Sequence, residues 1–227
     1  MFFHPLDILI FAAFGVAMWA QVRVKGNFDK YTKVPASSGI TGAEAAKRLL
    51  ASSGINDVRV EAVKGALTDH YDPVNKVVRL SEPVYYGSSI ASISVASHEI
   101  GHAIQHKEAY GALVLRHKMF PVVNLTSGVA PFLLIAGLLL GSLNMLGLGI
   151  VFFSAAVAFQ LVTLPVEFNA SSRAKNLMLS EGFIRNDEER GVNKVLNAAA
   201  LTYVAAAVIS LLQLLKFIAL FASANRN

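Results

Sequence analysis

Cysteine is absent from this chain of 227 residues. Its absence excludes disulfide bonds, thiolate zinc ligands and a cysteine nucleophile, so nitrogen and oxygen atoms must hold any metal. The chain also lacks a basic stripe interleaved with aromatic residues, and it has no nucleic-acid-binding motif, although its formal net charge is +5. We therefore expect no nucleic-acid partner.

Charge is scarce as well. Hydrophobic residues make up 54% of the chain and charged residues 15%, with a mean hydropathy of +0.51, which is more apolar than a typical soluble domain. The first apolar run has no basic segment before it and no small-residue cleavage site after it, so we interpret it as a retained span. Four nearly charge-free runs have the length needed to cross a bilayer: residues 5–22, 120–141, 145–166 and 198–222.

The basic residues are unevenly distributed between these runs. Of the 20 lysines and arginines, 13 lie between the first and second runs and 5 between the third and fourth. By the positive-inside rule, the water-side segments of about 23–118 and 167–197 are cytoplasmic and both termini lie outside. We expect a multi-pass protein of the cytoplasmic (inner) membrane.

The first water-side segment has patterns of a small α+β element. Thr41 and Glu44 form a capping box that predicts a short helix ending at Gly54, and residues 88–106 have helical periodicity. Residues 57–63 and two runs flanking the turn at residues 72–75 are strand-like, and residues 77–81 fit an edge strand that binds peptide or a plain inner strand. A further helix is expected between residues 167 and 182.

The stretch SVASHEIGHAIQH, residues 94–106, contains the pattern HExxH. One helical turn separates His98 from His102, which allows both to share a zinc ion, and Glu99 lies beside them as a candidate general base. His106 lies ~12 Å along a straight helix from His98, so we expect it in an outer shell or on the surface. The alternative is a pair of histidines on a solvated helix face.

Glu167 is the candidate third zinc ligand. It follows Pro165 at the end of the third apolar run, where a carboxylate is costly unless it has a partner. The chain crosses the membrane twice between His102 and Glu167, so the two residues return to the same face. The alternative is an ordinary interfacial acid at a helix start.

A peptidase would also need a donor for the oxyanion of its tetrahedral intermediate. His70, Tyr71 and Arg173 are the candidates, and each could equally be a surface or core residue of its own element.

Five stretches, taken in order, resemble the YugP-type membrane zinc metallopeptidases and, more distantly, the HtpX-type membrane proteases: LTDHYDP, RLSEPVYYG, VASHEIGHAIQH, LPVEFNAS and VLNAAALTYVAAA. The resemblance covers almost the whole chain. It implies one membrane-embedded metallopeptidase domain over residues 1–227, with a cytoplasm-facing site that holds one zinc ion per chain. It also implies His98 and His102 as ligands, Glu99 as base and Glu167 as third ligand.

The stretch EFNAS departs from the family pattern. The family usually has aspartate at the position of Asn169, and the HtpX-type pattern has an acid at the position of Ser171. A metal-bound histidine normally donates its other ring N–H to an acceptor, and the amide oxygen of Asn169 can serve as one. We therefore expect Asn169 in the second shell of the metal.

The fold class expected from these features is a mainly α membrane protein with about four transmembrane helices and a small cytoplasmic zincin-like α+β element. The expected function is a zinc-dependent endopeptidase that cuts proteins or peptides, including membrane proteins, at the cytoplasmic face of the lipid bilayer. A catalytically silent scaffold or metal-binding adaptor is the alternative, although the intact Glu99 argues against it. A site-2-type protease is disfavoured because the third and fourth runs contain no aspartate.

Overall fold

The computed structural model describes residues 4–226 and is mainly helical, as expected from the sequence. Its helices and strands are α1 (Leu6–Tyr31), α2 (Gly42–Ser52), β1 (Arg59–Val63), β2 (His70–Asp72), β3 (Val77–Ser81), α3 (Glu82–Tyr85), α4 (Ile90–Lys107), α5 (Gly111–Leu140), α6 (Leu143–Ser180) and α7 (Glu189–Ala224).

Four helices within the described residues, α1, α5, α6 and α7, are long and apolar enough to cross a membrane. They confirm the predicted number of spans. The further helix expected between residues 167 and 182 is not a separate one, because α6 runs through Pro165 without a break over its 38 residues, Leu143–Ser180. A proline inside a helix removes one backbone hydrogen bond, and the rest of this long helix preserves the helical path. Glu167 therefore belongs to the same helix as the third span.

The chain divides into two compact units. The span unit contains residues 4–19, 114–165 and 201–226, whereas the sheet unit contains Ala20–Leu113 and Val166–Ala200. Every candidate site residue predicted from the sequence lies in the sheet unit. That unit alone determines the geometry of the site.

The sheet has three strands in the order β1-β3-β2, with β1 parallel and β2 antiparallel to β3. The interpretation of residues 77–81 as an edge strand is wrong, because both neighbours of β3 are occupied. The predicted turn between β2 and β3 is confirmed, since Asp72 accepts hydrogen bonds from the backbone N–H groups of Val74 and Asn75, each at 3.0 Å.

The core of the sheet unit lies between the sheet and α4. Val78 and Leu80 of β3 are fully buried together with Ile93 and Ile100 of α4, and they belong to one hydrophobic cluster. Because side chains alternate along a strand, Arg79 lies on the opposite face of the sheet. On that face Arg79 pairs with Glu61 and Asp72, next to the fully buried Val77.

The predicted capping box at the start of α2 is confirmed. The hydroxyl of Thr41 accepts from the backbone N–H of Glu44 at 3.1 Å, and the carboxylate of Glu44 accepts from the backbone N–H of Thr41 at 2.8 Å. These bonds satisfy donors that a helix otherwise leaves without an intrahelical partner.

Helix α4 approaches α6 very closely at Gly101. A Cβ atom at this position would lie 2.7 Å from the carbonyl oxygen of Ala170 and 3.1 Å from its Cα. No side chain fits in this space unless one of the two backbones moves. The missing side chain therefore sets the distance between the helix that carries HExxH and the helix that carries Glu167.

We predict that Gly101→Ala destabilises the sheet unit by about 1–3 kcal/mol, because the added methyl group overpacks the contact with α6. Thermal melting in detergent measures this as a lower Tm. The control is Gly111→Ala, at a helical position where a Cβ would meet nothing within 4 Å. Equal melting temperatures for the two variants would contradict the predicted contact.

Candidate metal centre

Three side chains from α4 and α6 converge on one point. A carboxylate oxygen of Glu167, Oε2, lies 3.4 Å from Nε2 of His98 and 3.5 Å from Nε2 of His102. The candidate ligand atoms of the three residues all lie within 4.8 Å of one another. Glu167 is only 2% exposed, and the two histidines are partly buried. The predicted pair of histidines and the predicted glutamate are thus brought together.

These distances fit a shared zinc ion better than direct hydrogen bonds. Two ligand atoms bound tetrahedrally to zinc at ~2.0–2.2 Å are roughly 3.3–3.5 Å apart. A charge-assisted N–H···O bond would instead be about 2.7–2.9 Å long. The three residues therefore fit zinc in donor type, and the carboxylate fits it in its distance from each histidine.

Gln105 fixes the orientation and tautomer of His102. Its side chain is fully buried, and Nε2 donates to the backbone carbonyl of Val166 at 2.8 Å and to Oδ1 of Asn169 at 2.9 Å. Both amide hydrogens are then used, so the Gln105 oxygen, 3.0 Å from Nδ1 of His102, accepts the hydrogen of that ring nitrogen. Nε2 of His102 keeps its lone pair and points it towards Glu167.

Ser171 orients the ring of His98 through its outer nitrogen, Nδ1. The hydroxyl of Ser171, one helical turn after Glu167, lies 3.2 Å from Nδ1 of His98. A hydroxyl can accept the ring hydrogen, which again leaves Nε2 available to a metal. Both histidines therefore have their outer nitrogen occupied and their inner nitrogen directed to the same place.

Asn169 lies one step further from the histidines than expected. Its amide oxygen accepts from Gln105 and, at 2.7 Å, from Nε of Arg173, so it is linked to His102 through Gln105.

Sequence reasoning missed Gln105, and it considered Ser171 only as a departure from a family pattern. The available signal for Gln105 was its position three residues after His102 on the same helix face.

The surroundings of His102 favour a cation. Burial opposes a positive charge there, but contact with Glu167 and the negative charges of Glu99 and Glu167 raise the pKa of His102 above its ordinary value. The same negative groups stabilise a divalent cation in place of the proton. Protons and metal therefore compete for this site as the pH falls.

Glu99 is 8% exposed and lies near a second carboxylate. Asp69 accepts from the backbone N–H of Ser81 at 2.7 Å and from its hydroxyl at 3.0 Å. Burial raises the pKa of Asp69, and the negative charge of Glu99 raises it further. Two acidic groups thus share this side of the HExxH helix.

The position of His70 does not favour its predicted role as an oxyanion donor. His70 lies opposite Arg79 in the register of β2 and β3, so it shares the sheet face that points away from α4. Its ring is exposed, and Nδ1 lies 2.8 Å from the carbonyl oxygen of Thr68.

Tyr71 and Arg173 have other partners near the site. The hydroxyl of Tyr71 lies 2.8 Å from Nδ1 of His106, and burial, together with the charges of Asp57 and Asp72, raises the pKa of Tyr71 to about 12. The phenol therefore keeps its proton at neutral pH.

Arg173 pairs with Glu108 at 2.6 Å in addition to its bond with Asn169. A role for Tyr71 or Arg173 as oxyanion donor stays a prediction. His106 lies outside the group of three candidate ligands, in line with its expected place.

Comparison with known proteins, like the geometry of the three side chains, indicates zinc. Residues 6–222 match a family described as "Putative neutral zinc metallopeptidase". The chain belongs to this zinc metallopeptidase family. It is also 70% identical over 213 residues to a Bacillus subtilis (strain 168) protein named "Putative membrane protease YugP", covering 94% of this chain and 95% of that protein. No solved structure matches the chain.

We predict that Gln105→Met weakens zinc binding by about 10- to 100-fold, because methionine has a similar shape but offers no acceptor for the ring N–H of His102. A competition titration with a chelator measures the zinc Kd. The matched control is His106→Gln on the same helix, for which we expect an unchanged Kd. A Gln105→Met protein that is folded and binds zinc normally would refute the role of this hydrogen bond.

Proposed function

We propose that this protein is a zinc-dependent membrane endopeptidase in which His98, His102 and Glu167 hold one zinc ion per chain and Glu99 is the general base. The observation that carries the proposal is the position of the Glu167 carboxylate, almost equidistant from two histidine nitrogens whose outer positions are occupied by other side chains. Three protein ligands leave a fourth zinc position open, as a catalytic site requires.

Each residue of the site has a separate role in the proposed hydrolysis. When bound, zinc lowers the pKa of a coordinated water to about 7 and polarises a peptide carbonyl. Glu99 follows a ligand directly in sequence, so it is placed to accept the proton of the attacking water and to return it to the leaving amine. Gln105 holds His102 in the tautomer that this arrangement needs, and Ser171 orients the ring of His98.

We further propose that the site works at the cytoplasmic face of the membrane, with both termini outside. The distribution of basic residues supports this orientation, since 16 of the 20 lysines and arginines lie in the sheet unit. The substrates would be proteins or peptides that reach this face, including membrane proteins. The name of the Bacillus subtilis relative, "Putative membrane protease YugP", supports a protease located in a membrane.

We predict that Glu99→Gln retains zinc but reduces peptide cleavage by about 100-fold or more, because the amide cannot accept the proton. Glu167→Gln, in contrast, weakens zinc binding because it removes the charged ligand. Zinc content by elemental analysis and cleavage of casein by the purified proteins measure the two effects.

The wild type is the reference, and a far-ultraviolet circular dichroism spectrum like that of the wild type shows that each variant is folded. Full cleavage by Glu99→Gln would end the peptidase proposal. A zinc-loaded wild type that cleaves nothing would favour the silent scaffold or metal-binding adaptor.

A further inference from the structure

A polar cavity of about 270 Å³ lies in the sheet unit beyond the candidate metal centre. Its walls come from the loop after α2, from the sheet strands and their turns, and from the last turns of α4. The polar side chains that line it are Asp57, Tyr71, Lys76, His106 and Lys107. With His106 neutral, two lysines face one aspartate, so the formal charge of the lining is +1.

Lys107 is fixed at the wall of the cavity. Its ammonium group donates to the carbonyl oxygens of Ser53 at 2.6 Å and Gly54 at 3.2 Å, at the C-terminal end of α2. These two bonds use two of its three N–H donors. They neutralise none of its charge, because both acceptors are uncharged carbonyls. The cavity thus has a positioned cation with a donor to spare.

Lys76 is held in an unfavourable backbone conformation. Its φ angle is +48°, in the left-handed region where glycine or asparagine is preferred, and its side chain pairs with Asp57. A lysine with this conformation costs on the order of 1 kcal/mol relative to glycine. Unlike a glycine in the same turn, Lys76 forms an ion pair with Asp57 and places an ammonium group at the cavity lining.

The cavity and the metal centre share helix α4, which carries His106 in the cavity wall and His102 at the centre. His106 is four residues beyond His102 on α4, which corresponds to about 6 Å along the helix axis. An extended peptide advances about 3.3 Å per residue. A substrate running along α4 would place a group in the cavity two or three residues from the bond that is cut.

We propose that this cavity binds a carboxylate of the peptide substrate, from an acidic side chain or the C-terminus, two or three residues from the scissile bond. The proposal rests on the proposed peptidase function and assigns a specificity to it. One carboxylate would balance the charge of the lining. It would also accept hydrogen bonds from Lys107 and from the neutral phenol or imidazole of the Tyr71–His106 pair.

The test uses full-length protein in detergent. A peptide that the wild type cleaves within casein is identified first, and fluorescein-labelled versions then carry Glu or Gln at the second or third position on either side of the cleaved bond. Their binding to zinc-loaded Glu99→Gln protein is measured by fluorescence anisotropy, so the readout does not depend on turnover. A second arm compares peptides that end at these positions with a free carboxylate or an amide.

We expect the carboxylate form to bind about tenfold more tightly than the amide form at one of these positions, as two partly exposed ion pairs would give. Lys76→Gln combined with Lys107→Gln should remove this difference, and the corresponding pair of arginine substitutions should restore it. Lys64→Gln, an exposed lysine just after β1 that does not line the cavity, should retain it.

Equal binding of carboxylate and amide forms at every position would overturn the proposal. A preference that survives the double glutamine substitution would overturn it as well. Failure of the wild type to cleave any peptide would reject the proposed function itself, whereas cleavage without a charge preference would reject only the specificity.

Discussion

The close approach of α4 and α6 at Gly101 is the constraint on which the site depends. With no side chain at this position, the backbone of Ala170 can come near enough for Gln105 to bond the Val166 carbonyl and for Glu167 to reach both histidines. A side chain at residue 101 would push the two backbones apart and lengthen these contacts. The metal centre is therefore a consequence of helix packing as much as of the HExxH pattern.

The electrostatics of the site follow from the same packing. Glu167 is almost fully buried, and a buried carboxylate needs compensation from a nearby positive charge or from hydrogen bonds. The Gln105 oxygen accepts from Nδ1 of His102, so the lone pair of His102 Nε2 points to this carboxylate, and the Ser171 hydroxyl holds the His98 ring at Nδ1. A divalent cation bound between the three side chains would supply this compensation.

The sequence predicted the parts of the site that a short pattern determines. Helical pitch alone places His98 and His102 on one face, and the cost of a carboxylate at the membrane edge pointed to Glu167. The role of Gln105 depends on what α6 presents to it, and the inner position of β3 depends on a parallel pairing with a distant strand. Local patterns do not contain such long-range pairings. The separate helix expected after residue 166 is instead the continuation of α6, which tolerates Pro165.

The central claim is that two imidazoles and one carboxylate, separated by 65 residues along the chain from His102 to Glu167, form a single zinc site. A crystal structure of the zinc-loaded protein, with anomalous diffraction at the zinc edge, tests this claim most directly. We predict one strong anomalous peak about 2.0–2.2 Å from Nε2 of His98, Nε2 of His102 and a carboxylate oxygen of Glu167. A peak that lacks Glu167 among its neighbours, or one ligated by His106 instead, would contradict it.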